Sequence, residues 1–244
     1  MKIIIEKNYS DLSKKAADII EKEIRNKSDL ILGLATGSTP VGTYKELIRR
    51  HKEEGLDFAK VTTFNLDEYL GIPHDHINSY HYFMYDNLFK HINIDEDNIN
   101  IPNGNPEDVE EYCKSYDEDI EKQGGIDLQI LGIGENGHIA FNEPDDKLYL
   151  GTHITDLTES TIKANARFFD SIEEVPKKAI TMGLGSIMKS KKILLLANGK
   201  NKANIIGKLL KDEVVSTYNP ASLLLLHPDV TIILDEESAS EYLK

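Results

Sequence analysis

The chain has 244 residues, 40% of them hydrophobic and 29% charged, which excludes a disordered or fibrous protein and leaves length enough for a large core without a metal or disulfide staple. Its 42 Asp and Glu outnumber 28 Lys and Arg, and the net charge of −14 argues against nucleic acid and anionic membranes as partners. The lone cysteine cannot pair within the chain, the N-terminal run Met1-Lys-Ile-Ile-Ile-Glu6 is too short for a signal peptide, and no apolar stretch reaches the roughly 18 residues of a membrane span, so we expect a cytoplasmic protein.

In chain order, Ile3-Ile4-Ile5 reads as a buried strand. A helix with Leu12, Ala16, Ile19, Ile20 and Ile24 on one face follows from Ser10. Asp29 to Ala35 is a second apolar strand. It runs into Thr36-Gly37-Ser38-Thr39-Pro40, where Thr39 is the expected N-cap and Pro40 the first residue of a helix that carries Tyr44, Leu47 and Ile48 and closes at Gly55. Val61 to Leu66 is a third strand, ending at Asp67-Glu68-Tyr69. Ser79 to Phe89 reads as a helix, and Asn105-Pro106 starts another that ends at Gly124-Gly125. Ile126 to Ile133 is a fourth strand, and further strands are expected at Ala179–Met182, Lys192–Ala197 and Val230–Leu234. Several of these strands are apolar throughout, as happens when helices cover both faces of a parallel sheet. We expect one α/β domain spanning residues 1–244: a mainly parallel central sheet with helices on both faces, a Rossmann-like three-layer sandwich.

In open sheets of this kind ligands bind beyond the C-terminal strand ends, so the polar clusters after strands two, three and four are expected to share a crevice. Thr36 to Thr39 join a strand to a helix N-terminus, where glycine allows close backbone approach and free N–H groups face an anion. It is not a Walker motif, since G-x-x-x-x-G-K-[ST] is absent. Asp67 and Glu68 are adjacent carboxylates at a strand end, and because successive strand residues point to opposite faces, at most one serves the crevice. The richest cluster runs from Gly132 to Pro144. It contains a literal G-x-G-x-x-G, but Pro144 stops it too soon for the long helix of a dinucleotide site. The glycines instead permit a tight loop that presents Asn136, His138 and Glu143, and a histidine within reach of a carboxylate and an amide is a ready acid–base unit. His74, His76 and His81 sit in a Pro/Asn/Asp stretch without metal-ligand spacing and read as a solvated loop; we expect no metal. Cys113 reads as a buried structural thiol, and Arg167 and Lys202 as candidate phosphate partners.

Together, Leu32-Gly-Leu-Ala-Thr-Gly-Ser-Thr-Pro40, Phe64-Asn-Leu-Asp-Glu-Tyr69, Gly134-Glu-Asn-Gly-His-Ile-Ala-Phe-Asn-Glu-Pro144, Ala164-Asn-Ala-Arg-Phe-Phe169 and Asn201-Lys-Ala203 resemble the glucosamine-6-phosphate deaminases of the glucosamine/galactosamine-6-phosphate isomerase family, in the right order over nearly the whole chain. The resemblance implies an aldose–ketose isomerisation coupled to loss of ammonia, from glucosamine 6-phosphate to fructose 6-phosphate, without metal or organic cofactor. It places Asp67 as the proton-transferring carboxylate, His138 as the ring-opening histidine, and Asn136 and Glu143 as its orienting and polarising partners. It assigns Thr36, Gly37, Ser38, Thr39, Arg167 and Lys202 to the phosphate. With the aldehyde and ammonium acidifying C2, a carboxylate of ordinary basicity, about 3.9 in model peptides, suffices as base.

Two departures stand out. Some members of that family carry Asp where this chain has Asn136, so the relay here is expected to lean on Glu143. The allosteric hexameric members use a basic stretch after the Asn-Glu-Pro turn, where this chain reads Leu150-Gly-Thr-His-Ile-Thr155. We therefore expect a monomer or small homo-oligomer with weak or absent activation by an acetylated amino-sugar phosphate, and a lid around Leu157 to Pro176 on family similarity alone. The rival readings are a 6-phosphogluconolactonase, which needs no carbanion step, a non-catalytic sugar-phosphate sensor, and an isomerase that does not release ammonia.

Overall fold

Apolar residues at helical spacing make the first helix: α1 (Tyr9–Asn26) buries Leu12, Ala16, Ala17, Ile20 and Ile24, and Asn8 caps it by accepting the Asp11 N–H. The computed structural model describes residues 1–166, 169 and 171–244. α1 follows β1 (Lys2–Glu6) and precedes β2 (Ile31–Leu34) and α2 (Val41–Glu54), which ends at Gly55 in the left-handed conformation. Then come β3 (Thr62–Asn65), β4 (Asp67–Tyr69), α3 (Tyr80–Asn87), β5 (Ile99–Asn100) and α4 (Val109–Lys122). The second half holds β6 (Leu128–Leu131), β7 (His153–Asp156), α5 (Glu159–Asn165), β8 (Lys178–Thr181), α6 (Leu184–Met188), β9 (Lys192–Ala197), α7 (Ala203–Lys211) and β10 (Val230–Asp235).

Seven strands form one parallel sheet in the order β1-β10-β9-β6-β2-β3-β5. Alternate residues of its strands feed two apolar layers. Leu32, Leu34, Leu194 and Leu196 pack with α1, α2 and α3 residues such as Leu12, Leu47 and Met84, while Ile31, Leu195 and Ile232 pack with Ile120, Ile187 and Ile206 of α4, α6 and α7. The α/β class, the parallel sheet and helices on both faces are as read from sequence.

A second, antiparallel sheet in the order β4-β8-β7 was not read. The third strand does not run straight into Asp67. β3 stops at Asn65, Leu66 bends, and Asp67 opens β4 in the other sheet, while Leu66 still bonds both neighbours, its N–H to Leu34 and its carbonyl to the Met182 N–H. The strand at Ala179–Met182 belongs to this smaller sheet rather than the central one. Two helix starts also differ. α2 begins at Val41 with Pro40 as its cap residue and no side-chain cap from Thr39, and α4 begins at Val109 capped by Asp108, not at Pro106. Among the described residues no helix is long and apolar enough to cross a membrane.

Candidate active site

Strand order locates the site before any side chain is considered. From β2 the chain moves to β3 and β5 on one side and then to β6, β9 and β10 on the other, so the loops after β2 and β6 leave the sheet in opposite directions and open a crevice between them. A cavity of about 390 Å³ lies there, of ordinary size for a small ligand. Its walls are Ala35 to Thr39 after β2, Leu66 and Asp67 at the join of the two sheets, Gly132 to Asn136 with His138 after β6, and Tyr80, Ala140, Phe141, Thr161 and Lys202. The three clusters read from sequence therefore meet.

The Thr36–Thr39 turn lines the cavity. Gly37 has φ 89°, which side chains disfavour, and the N–H groups of Gly37, Ser38 and Thr39 donate to no described protein atom. The turn is braced from α1: the Tyr9 hydroxyl accepts the Gly42 N–H at 2.7 Å and lies 3.0 Å from the carbonyls of both Ser38 and Thr39. Lys202 joins the wall at the start of α7, and its neighbour Asn201 donates to Glu135 at 2.7 Å. Arg167 lies outside the described residues.

Asp67 is 6% exposed, and its carboxyl makes no hydrogen bond to any described residue. Burial, reinforced by the charge of Glu68, pushes its carboxyl up to about 8. Glu68 points away from the cavity and accepts the backbone N–H groups of Tyr69, Tyr80 and His81 at 2.8–2.9 Å, at the N-terminus of α3. His81 thus stands on α3 rather than in the loop with His74 and His76. Tyr80 closes the floor, tilted against Tyr69 and stacked on Phe141.

His138 sits on a turn that glycine makes possible. A Cβ on Gly134 would come within 2.4–2.5 Å of the imidazole ring, and Gly137 has φ 93°. His138 Nδ1 lies 3.2 Å from Glu143 Oε2, which also accepts Asn136 Nδ2 at 2.6 Å, while Asn136 Oδ1 accepts the His138 N–H at 3.1 Å. Burial raises the Glu143 carboxyl, but the hydrogen bond and charge of His138, with the donors Thr161 and Asn136, outweigh it and hold it at about 2. An ionised Glu143 on Nδ1 leaves Nε2 as the proton acceptor of the ring. Ala140, next in the wall, has φ 54°, a strained setting for a non-glycine residue beside a site.

The cavity thus holds a poised carboxyl, an oriented imidazole and an open anion cradle. Tyr80, Phe141 and Thr161 were missed from sequence; the aromatic run Tyr80 to Tyr85 was visible there, but nothing local marked Thr161. Cys113 is buried in α4, its thiol raised to about 11 by burial and nearby carboxylates, and takes no part.

Residues 6–233 match the family described as glucosamine-6-phosphate isomerases/6-phosphogluconolactonase. The chain is 62% identical to a glucosamine-6-phosphate deaminase of Thermoanaerobacter pseudethanolicus over 240 residues, covering 98% of this chain and 94% of that one. It is 56% identical to one of Clostridium perfringens over 239 residues and 98% of both chains. A solved monomeric glucosamine-6-phosphate deaminase superposes with a TM-score of 0.96 at 49% identity over 99% of this chain and all of that one. A 6-phosphogluconolactonase of Thermotoga maritima shares the fold, with a TM-score of 0.74 at 24% identity over 96% of this chain and 98% of that one.

Proposed function

The chain belongs to the glucosamine-6-phosphate isomerase and 6-phosphogluconolactonase family, and we infer that within it the chain converts glucosamine 6-phosphate and water into fructose 6-phosphate and ammonia. The observation that carries this reading is that Asp67 and His138 line one cavity together with the Thr36–Thr39 turn and Lys202. Hydrolysis of a lactone needs one base for a water. An isomerisation needs two acid–base groups acting at different atoms, and two such groups face this cavity.

The phosphate sits on the free N–H groups of Gly37 to Thr39, with Lys202 and Arg167 supplying positive charge that the net −14 of the chain otherwise denies it. His138 takes the proton of the C1 hydroxyl and returns it to the ring oxygen as the C1–O5 bond breaks, leaving an open-chain aldehyde. Glu143 and Asn136 hold its ring in place and stabilise the cation that forms in between. Asp67 then removes the C2 proton. Its high proton affinity makes it a stronger base than an ordinary carboxylate, and the substrate's C2 ammonium favours its ionised form on binding. The same proton goes to C1, leaving a C2 imine; water adds to C2 and ammonia departs. These steps need no metal or organic cofactor, and all 244 residues serve as one domain. We take the active form to be a monomer, as in the solved 49%-identical relative, with weak or absent activation by an acetylated amino-sugar phosphate.

Incubation with glucosamine 6-phosphate tests the reading. Ammonia and fructose 6-phosphate should appear in equal amounts; ketose without ammonia, or neither product, removes it.

A further inference from the structure

Hydrogen bonds reach Glu143 from two directions. Oε2 faces the loop of His138 and takes Asn136 Nδ2 and His138 Nδ1. Oε1 faces α5, where the Thr161 hydroxyl donates at 2.5 Å and the Thr158 hydroxyl lies at 3.3 Å. Thr161 is 7% exposed and lines the cavity, so its hydroxyl has no ready exchange for bulk water. The two threonines are tied to each other. Thr158 is the N-cap of α5, accepting the Thr161 N–H at 3.3 Å, and the two hydroxyl oxygens are 3.0 Å apart. A carboxylate held on one oxygen alone can still turn about its last bond; held on both, from opposite sides, its plane is fixed.

We propose that Thr161, set by the Thr158 cap of α5, is a positioning residue that locks Glu143 against His138, so that the ring-opening relay is complete only when the first turn of α5 is formed. This rests on the reading that His138 and Glu143 open the sugar ring. The geometry gives α5 a chemical role besides covering the cavity. Glu143 is 15 and 18 residues away in sequence from the two threonines, on the far side of β7, so α5 can leave its place without breaking any bond of the His138 turn itself. If it does, Glu143 keeps Asn136 and His138 but loses both donors on Oε1. The loss also removes part of what holds the proton affinity of Glu143 down, since the Thr161 hydrogen bond is among the causes of its low value.

The test is Thr161→Val, which keeps the branched shape and removes only the hydroxyl, beside Thr161→Ser, which keeps the hydroxyl and removes the methyl. Deamination of glucosamine 6-phosphate is followed by steady-state kinetics. For Thr161→Val, kcat should fall about tenfold, the loss of one hydrogen bond to a charged group. KM should stay within about twofold, because the contact is not to the phosphate. Thr161→Ser should restore kcat. The penalty should also vanish in a His138→Gln background, since residues that act as a unit are not additive. Wild-type kcat in Thr161→Val, a change in KM alone, a serine variant as impaired as the valine one, or a full penalty without His138 each overturns the proposal. Wild-type protein that releases no ammonia overturns the functional reading instead, and the two failures are told apart.

Discussion

A base that takes a proton from carbon and hands it to the next carbon has to bind that proton well at neutral pH without keeping it. From sequence we expect Asp67 to be an ordinary carboxylate, and the fold corrects this: burial raises it to about 8, with Glu68 as the second cause. The strand rule that only one of the adjacent pair faces the crevice was legible. What happens to the other was not, because Glu68 is held by N–H groups of Tyr80 and His81, more than ten residues on, at the start of α3. Glu68→Gln removes the negative charge behind Asp67, which lowers the affinity of Asp67 for its proton. The acid limb of kcat/KM, below which Asp67 in the free enzyme is protonated, should therefore move to lower pH by roughly half a unit to one unit. The ionisations of the substrate are common to both proteins and cancel in the comparison. A limb that stays put, or moves up, would show that Glu68 does not tune Asp67.

Elements with a strong period were legible, and short ones were not. α1 could be read from Leu12, Ala16, Ile20 and Ile24, and the central strands from unbroken apolar runs. Of the small sheet, β8 was expected at Ala179–Met182, whereas β4 and β7, with three and four residues, are too short to establish a period and are strands because each pairs with β8. Thr161 was hidden for a similar reason: only the folding of α5 over Glu143 gives its hydroxyl a purpose. The start of α2 shows how tertiary contact replaces a local signal. Thr39 and Pro40 read as cap and first residue, yet the hydroxyl that meets the first turn comes from Tyr9 in α1. Gly42 makes room for it, since a Cβ there would stand 2.9 Å from the Tyr9 hydroxyl and 2.3 Å from Ser13 Oγ. Tyr9 thus braces the turn proposed to hold the phosphate. Tyr9→Phe should raise KM for glucosamine 6-phosphate roughly three- to tenfold, the worth of one neutral hydrogen bond, and leave kcat nearly unchanged. Steady-state kinetics decide it, and a fall in kcat at constant KM would mean the brace acts on chemistry rather than on binding.

Over the whole molecule, the same burial that raises the proton affinity of Asp67 is a cost to folding that two large apolar layers absorb. The unfolded chain ionises Asp67 near pH 4, whereas the folded chain keeps the proton until about 8. In that window the unfolded state is favoured increasingly as pH rises, and above it the full penalty is present. Glu143 works in the opposite sense: its value of about 2 adds stability above the ordinary carboxylate range and loses it only as pH falls toward 2, so the two effects do not overlap. Asp67→Asn keeps the shape and removes the charge. The variant should be inactive but should melt on the order of 10 °C above the wild type at about pH 9, while near pH 3, where folded and unfolded Asp67 are both largely neutral, the difference should shrink toward zero. Thermal melts of the two proteins across that range measure it. An equal shift at both ends would mean that packing, not ionisation, separates them. A variant less stable at pH 9 would mean that the ionised carboxylate is satisfied in the fold, in which case Asp67 has no raised proton affinity to bring to the reaction.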